Sequence, residues 1–253
     1  MNIKTPGDSL LNSIGIKFNT DKASIWSGIN KTIQNSLGHD YLRKYEFFIR
    51  EFLDLEDFNM LELGAGPGEN IGASIRMWSE YFLNANTITV VDIQKNVVDL
   101  TEINKNIIPI HGDLGDPKLL KSLANNKYNL IIDDASHFWE HQILAFENLF
   151  DSLCPGGVYI CEDIQTSFEQ YKKNYSKSFK LDPLSYFMQL SSLVSSKDLK
   201  ERGHPIFNNF LKNSNISMLD ERELKSIKKL QRKAKNILSI TFLKHSCIIQ
   251  KDV

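Results

Sequence analysis

Asn59-Met60-Leu61-Glu62-Leu63-Gly64-Ala65-Gly66-Pro67-Gly68 joins a short apolar run to a turn containing three glycines. The run has strand length, and behind the turn Ile71 to Phe82 repeats apolar groups at helical spacing. Strand, glycine turn and helix form the opening of a Rossmann-like unit, in which glycine lets the backbone approach a ligand closely. The spacing here is GxGxG, and Glu69 occupies the place of the third glycine in a GxGxxG pyrophosphate loop, which disfavours NAD.

Outward from this unit, further short β-rich runs alternate with helical stretches. Thr87 to Val91 reads as a second strand ending at Asp92, and Ile107 to Ile110 as a third, followed by His111-Gly112-Asp113. Lys118 to Ala124 is expected to be helical, and Tyr128 to Ile132 to be the fourth strand. Residues 138 to 153 should form a helix with Ile143, Leu144, Phe146, Leu149 and Phe150 inward, stopped by Cys154-Pro155-Gly156-Gly157 because proline cannot continue a helix. Val158 to Cys161 is the fifth strand. Ile237 to Phe242 and Ser246 to Gln250, separated by Leu243-Lys244-His245, read as an antiparallel hairpin closing the sheet.

This alternation predicts an α/β fold of Rossmann-like, class I methyltransferase outline: a seven-stranded, mainly parallel sheet with a C-terminal antiparallel hairpin and helical extensions. Four segments are expected. Residues 1–56 form a helical lead, with Asp40, Tyr41, Tyr45, Phe48, Ile49, Phe52 and Leu53 at helical spacing, and 57–165 form the cofactor-binding core. Residues 166–236, including Arg202-Gly203-His204-Pro205, form a helical substrate cap, and 237–253 the terminal hairpin.

The strand ends carry the chemistry. A site for S-adenosylmethionine has no phosphate to hold, which suits the glycine turn of Gly64, Gly66 and Gly68, and Glu62 can meet its amino acid end. Asp92 sits where an acid can accept from both ribose hydroxyls, and Asp113 where it can take the adenine amino group. The fourth strand runs into Asp133-Asp134-Ala135-Ser136-His137 and the fifth into Glu162-Asp163. Asp134, Glu162 and Asp163 offer three hard oxygen ligands, the set Mg²⁺ or Mn²⁺ prefers, with room for two vicinal substrate hydroxyls. A metal-bound hydroxyl loses its proton more readily, and His137 is the expected base, with His141 in reserve. Asp133 is expected to cap a helix or to support a ligand rather than to coordinate.

Composition sets limits on partners. A net charge of −1 and a pI of about 6.6 give no general attraction for nucleic acid. No stretch approaches the ~20 apolar residues of a membrane span, and the N-terminus has no signal-peptide core, so a cytoplasmic protein is expected. Cys154, Cys161 and Cys247 show no CxxC spacing and read as inert core thiols. The run Lys225, Lys228, Lys229, Arg232, Lys233 and Lys235 reads as a solvated helix face in preference to an anion site. A homo-oligomer is compatible with all of this.

The chain resembles the metal-dependent sugar O-methyltransferases of the mycinamicin and macrocin type. The likeness lies in Asn19-Thr20-Asp21-Lys22, His39 with Tyr41 and Tyr45, Leu61-Glu62-Leu63-Gly64, Ser74-Ile75-Arg76-Met77-Trp78 and His111-Gly112-Asp113-Leu114-Gly115-Asp116-Pro117. Its most specific parts are Ile132-Asp133-Asp134-Ala135-Ser136-His137 and Cys161-Glu162-Asp163-Ile164-Gln165-Thr166-Ser167. The resemblance implies S-adenosylmethionine in the Gly64 loop with Asp92 and Asp113, magnesium on Asp134, Glu162 and Asp163, and His137 as base. It departs at Ala135, where the family often has glycine, in an insertion over 23–38, and in the cap over 168–236.

The reaction thus transfers more firmly than the acceptor. The Asn-, Lys- and Ile-rich, Ala-poor composition points to a low-GC source and moves the expected acceptor towards a nucleotide-activated sugar, for instance a heptose, for capsular or other surface polysaccharide. The alternatives are a macrolide glycoside, a catechol-type small molecule, or a non-catalytic cofactor-binding partner of another transferase.

Overall fold

The computed structural model describes residues 9–28, 36–195 and 220–253. The chain forms two compact units, 1–113 and 114–253.

The first unit opens with α1 (Leu10–Lys17), whose N-cap Ser9 accepts from the Asn12 amide. Then comes a two-stranded antiparallel ribbon, β1 (Ile25–Trp26) and β2 (Ser36–Leu37), followed by α2 (Leu42–Ile49) and a 3-10 turn over Arg50–Asp54. The segment before residue 57 is therefore not helical throughout. The expected face is largely kept across α2 and its flanks: Tyr41 at the N-cap, Tyr45 and Ile49 in the helix and Phe52 in the 3-10 turn are buried, while Phe48 and Leu53 are half-buried. Gly15 lets α1 come close to α2, since a Cβ there would lie 2.2 Å from the Leu42 Cδ1. The parallel strands β3 (Asn59–Leu63), β4 (Thr87–Asp92) and β5 (Ile107–His111) carry this unit's sheet. Between the first two strands lies α3 (Ala73–Tyr81), which starts later than the spacing predicts. Gly68–Asn70 forms a 3-10 turn, and Gly72, at φ +78°, precedes the first helical residue. Trp78, Phe82 and Phe58 stack beneath this helix.

The second unit contains α4 (Pro117–Leu123), capped by Asp116, β6 (Tyr128–Asp133), α5 (Trp139–Leu149) and β7 (Leu153–Cys161). Ile143, Phe146, Leu149 and Phe150 are buried, as their spacing predicts, while Leu144 is half-buried. The helix stops before the Cys-Pro-Gly-Gly stretch, with a 3-10 turn over Phe150–Ser152. That stretch is itself part of β7, where it was expected to be a helix stop. Proline is tolerated near the start of a strand, and the β6–β7 pairing is irregular between Tyr128 and Leu130.

Next come α6 (Glu169–Tyr175), α7 (Pro183–Val194) and α8 (Glu221–Ala234), with α7 packing on α5 and α8. The expected loop Arg202-Gly203-His204-Pro205 lies outside the described residues. The strands β8 (Ile237–Leu243) and β9 (Ser246–Lys251) form the expected hairpin, joined by only Lys244 and His245, the latter at φ +69°.

The seven strands run in the order β5-β4-β3-β6-β7-β9-β8, with β6 and β7 parallel and β9 antiparallel to both β7 and β8. The central strands are buried along almost their whole length, as expected of a parallel sheet covered on both faces. Among the described residues no helix is long and apolar enough to cross a membrane.

Two members of the basic run on α8 depart from a solvated face. Lys229 reaches Glu147 Oε2 at 2.5 Å, and Lys233, buried, reaches Asp151 Oδ2 at 2.6 Å, its pKa lowered chiefly by burial. The aliphatic stems of lysines cover apolar surface readily, which the charge pattern alone does not reveal. Lys225, Arg232 and Lys235 are exposed, as expected.

Candidate active site

In the first unit, the turn after β3 is a preorganised cradle. Gly64, Gly66 and Gly68 have φ of +96°, +90° and +53°, the left-handed region that favours glycine. Asp92, at the end of β4, holds this turn. Its Oδ2 accepts from the Ala65 amide at 2.7 Å and its Oδ1 from the Gln94 amide at 2.8 Å. Gln94 completes the brace, donating to the Gly66 carbonyl at 2.8 Å and accepting from the Gly68 amide at 3.0 Å. Asp92 is thus committed to the loop's backbone and to its brace. Gln94 carries no motif signal, and its position two residues past the strand end is the only hint the sequence offers.

Glu62 is fully buried. Its carboxylate accepts from Ser74 Oγ at 3.0 Å and lies 3.7 Å from the Nζ of Lys22, itself 2% exposed. A charge so buried persists only when paired, and Lys22 is one such partner. Asp113 lies beyond β5 and is exposed.

In the second unit, the ends of β6 and β7 bring three donors together. Atoms of Asp134, His137 and Asp163 lie within 4.8 Å of one another, and His137 Nε2 is 3.5 Å from Asp163 Oδ2. All three are half-buried, as a site open to a ligand requires. The backbone here is strained. Ser136, His137 and Asp163 have φ of +54°, +51° and +56°, uncommon for residues with a side chain and concentrated in proteins at functional sites.

The strain is held by surrounding hydrogen bonds. The Glu162 amide donates to the Asp133 carbonyl at 2.9 Å, and Gln142 Nε2 donates to the Glu162 carbonyl at 2.7 Å. The Ile164 amide donates to the His245 carbonyl at 3.0 Å, and the amide and hydroxyl of Thr166 donate to the Asp163 carbonyl. Trp139 Nε1 anchors the same segment through the Thr166 carbonyl. Gln142 and Trp139 have no signal in the sequence, because an amide and an indole on a helix read there as ordinary core.

The expected ligand set is only partly gathered. Asp134 and Asp163 come together, but the third member of the group is His137, whereas Glu162 is 1% exposed and outside it. His141 pairs with Ser136, its Nδ1 2.9 Å from the hydroxyl. Asp133 lies outside the group. It is buried, it accepts from the Tyr159 hydroxyl at 3.0 Å, and its carboxyl is pushed up to about 8, by burial above all and by the neighbouring Asp134. The thiols of Cys161 and Cys247, opposite each other across β7 and β9, are free, and burial raises both well above their ordinary range.

This sheet order, with a hairpin that places β9 between β7 and β8, is the class I methyltransferase fold. Among solved structures it is shared by MycE, a methyltransferase from the mycinamycin biosynthetic pathway, determined in complex with Mg, SAH and mycinamycin VI. The TM-score is 0.68 with 19% identity, over 96% of this chain and 54% of that one. Curated relatives point the same way. An 8-demethyl-8-alpha-L-rhamnosyl tetracenomycin-C 2'-O-methyltransferase of Streptomyces olivaceus is 33% identical over 51% of this chain and 34% of its own length. Demethylmacrocin O-methyltransferase of Streptomyces fradiae is 32% identical over 51% and 33%. Mycinamicin VI 2''-O-methyltransferase of Micromonospora griseorubida is 29% identical over 51% and 33%. The chain spans about a third of the length of these relatives. No family model matches it.

Proposed function

We propose that the chain is an S-adenosylmethionine- and divalent-metal-dependent O-methyltransferase that acts on a sugar hydroxyl. The observation that carries this reading is the convergence of Asp134, His137 and Asp163 at two neighbouring strand ends, on strained backbone held by Gln142, Trp139 and His245. Two half-buried carboxylates suit Mg²⁺ or Mn²⁺ with positions left for substrate oxygens, and the imidazole stands beside them. The bound ion would acidify a coordinated hydroxyl. In this reading Asp134 and Asp163 supply the protein oxygens. His137, oriented by Asp163, takes the proton as the hydroxyl oxygen attacks the methyl group. The Gly64–Gly68 cradle would hold the cofactor, with Asp92 and Gln94 keeping it open and Glu62 paired to Lys22 behind it. Asp113 remains the proposed partner of the adenine.

For the acceptor, we favour a sugar carried on a small-molecule aglycone over a nucleotide-activated sugar for capsule. The relatives are named for glycosides such as rhamnosyl tetracenomycin-C. Moreover, Lys229 and Lys233, two cations that would have suited a diphosphate, are committed to Glu147 and Asp151.

The test is calorimetric titration with S-adenosylhomocysteine, followed by turnover with and without Mg²⁺ on rhamnosyl and other deoxyhexosyl glycosides and on nucleotide sugars. Cofactor binding with chelator-sensitive methylation of a glycoside is expected. An absence of cofactor binding removes the methyltransferase reading, and turnover on nucleotide sugars alone restores the polysaccharide one.

A further inference from the structure

Helix α6 has no buried residue. Seven residues are too few to be stable as an isolated helix, so α6 depends on its packing against the 3-10 turn Ile164–Ser167 that follows Asp163. Its last residue, Tyr175, is half-buried and turns back on the candidate active site. Its ring centroid lies 6.3 Å from that of His137, edge to face, and 6.4 Å from that of Phe138. Phe138 meets His141 edge to face at 5.4 Å, and Tyr171 meets Tyr175 at 6.5 Å. Lys177 Nζ stands 3.4 Å from the centre of the Phe138 ring, on a residue at φ +48° just past the helix. Aromatic surface is thus held against the acid-imidazole group by an element with no buried residue of its own.

Few ligands need both features at once. A flat apolar molecule would prefer an enclosed apolar pocket, and a polyanion would be repelled by Asp134 and Asp163. A pyranose ring has a face of C–H groups, which packs on an aromatic ring, and an edge of hydroxyls, which suits a carboxylate and imidazole cluster. We propose that Tyr175, flanked by Phe138, is the platform for the acceptor's glycosyl ring, which lies with its C–H face on the tyrosine and its hydroxyl edge towards Asp134, His137 and Asp163. This rests on the sugar-hydroxyl reading above and adds to it the surface that positions the sugar.

The experiment is saturation-transfer NMR with methyl α-L-rhamnopyranoside on the whole protein, its Tyr175→Ala and Tyr175→Phe variants, with Mn²⁺ and S-adenosylhomocysteine titrated into each by calorimetry. Because no residue of α6 is fully buried, the variants should fold normally. Saturation of the protons on one ring face is expected in the parent and in Tyr175→Phe, with binding roughly three- to ten-fold weaker in Tyr175→Ala. Mn²⁺ affinity should be unchanged in all three. No saturation transfer in the parent, or equal sugar binding by the parent and Tyr175→Ala, overturns the platform. Tyr175-dependent sugar binding without any S-adenosylhomocysteine binding supports the platform and overturns the methyl-transfer reading instead.

Discussion

At the scale of single residues, the proposed mechanism assigns different tasks to Asp134, His137 and Asp163. Asp163→Ala should weaken Mn²⁺ binding by more than the roughly 10- to 100-fold that losing an outer partner costs, with the far-ultraviolet circular dichroism unchanged. His137→Ala should lower turnover about 10²- to 10⁴-fold while leaving S-adenosylhomocysteine affinity intact, as removal of a general base does. Near-normal turnover would mean that the imidazole is not the base. Asp133 adds a pH signature. Its carboxyl titrates near 8 in the fold against 3.8 ordinarily, so between these values the native state binds the proton that the unfolded chain has released. Stability measured by urea unfolding with chelator present should therefore fall as pH rises from about 4 to about 8, and Asp133→Asn should flatten that slope. Asp134 and Asp163 were legible in the sequence because acids at strand ends form a pattern. The burial of Glu162 was not, nor was the left-handed backbone of Asp163, because neither leaves a compositional trace.

At the scale of elements, the strands and the class of fold were readable because buried parallel strands are short apolar runs with breakers between them. What escaped was local geometry. Pro155 and Gly156 looked like a helix stop but belong to β7, and Gly72 delays α3 to Ala73. The glycine turn can be tested directly. A Cβ on Gly66 would meet little, the nearest atom being the Asn70 carbonyl oxygen at 3.5 Å, so the cost of Gly66→Ala comes almost wholly from φ +90°. About 1–2 kcal/mol of lost stability is expected by thermal unfolding, together with weaker S-adenosylhomocysteine binding. On α8, Asp220 and Glu223 form a reciprocal capping box, and Glu223 also accepts from the Leu181 amide at 2.9 Å. Asp220→Ala should cost about 1 kcal/mol in chemical denaturation. Glu223→Ala should cost more, because buried amides lose their acceptor.

At the scale of the whole molecule, ligands that bind only the native state must raise its stability. Mg²⁺ and S-adenosylhomocysteine, each at a hundred times its dissociation constant, should each add about 2.7 kcal/mol, visible as separate rises in melting temperature. A chelator should reverse the first and leave the second. A melting curve indifferent to Mg²⁺ would argue that the acid and imidazole group holds no ion. The strand β9 follows β8 in the chain but lies between β8 and β7, and the carbonyl of His245, just before it, grips the amide after Asp163. During vectorial synthesis on the ribosome, the strand that must fill the gap is made after both its neighbours. The acidic loop at the end of β7 therefore stays without the His245 clamp until the turn that leads into that strand emerges from the exit tunnel.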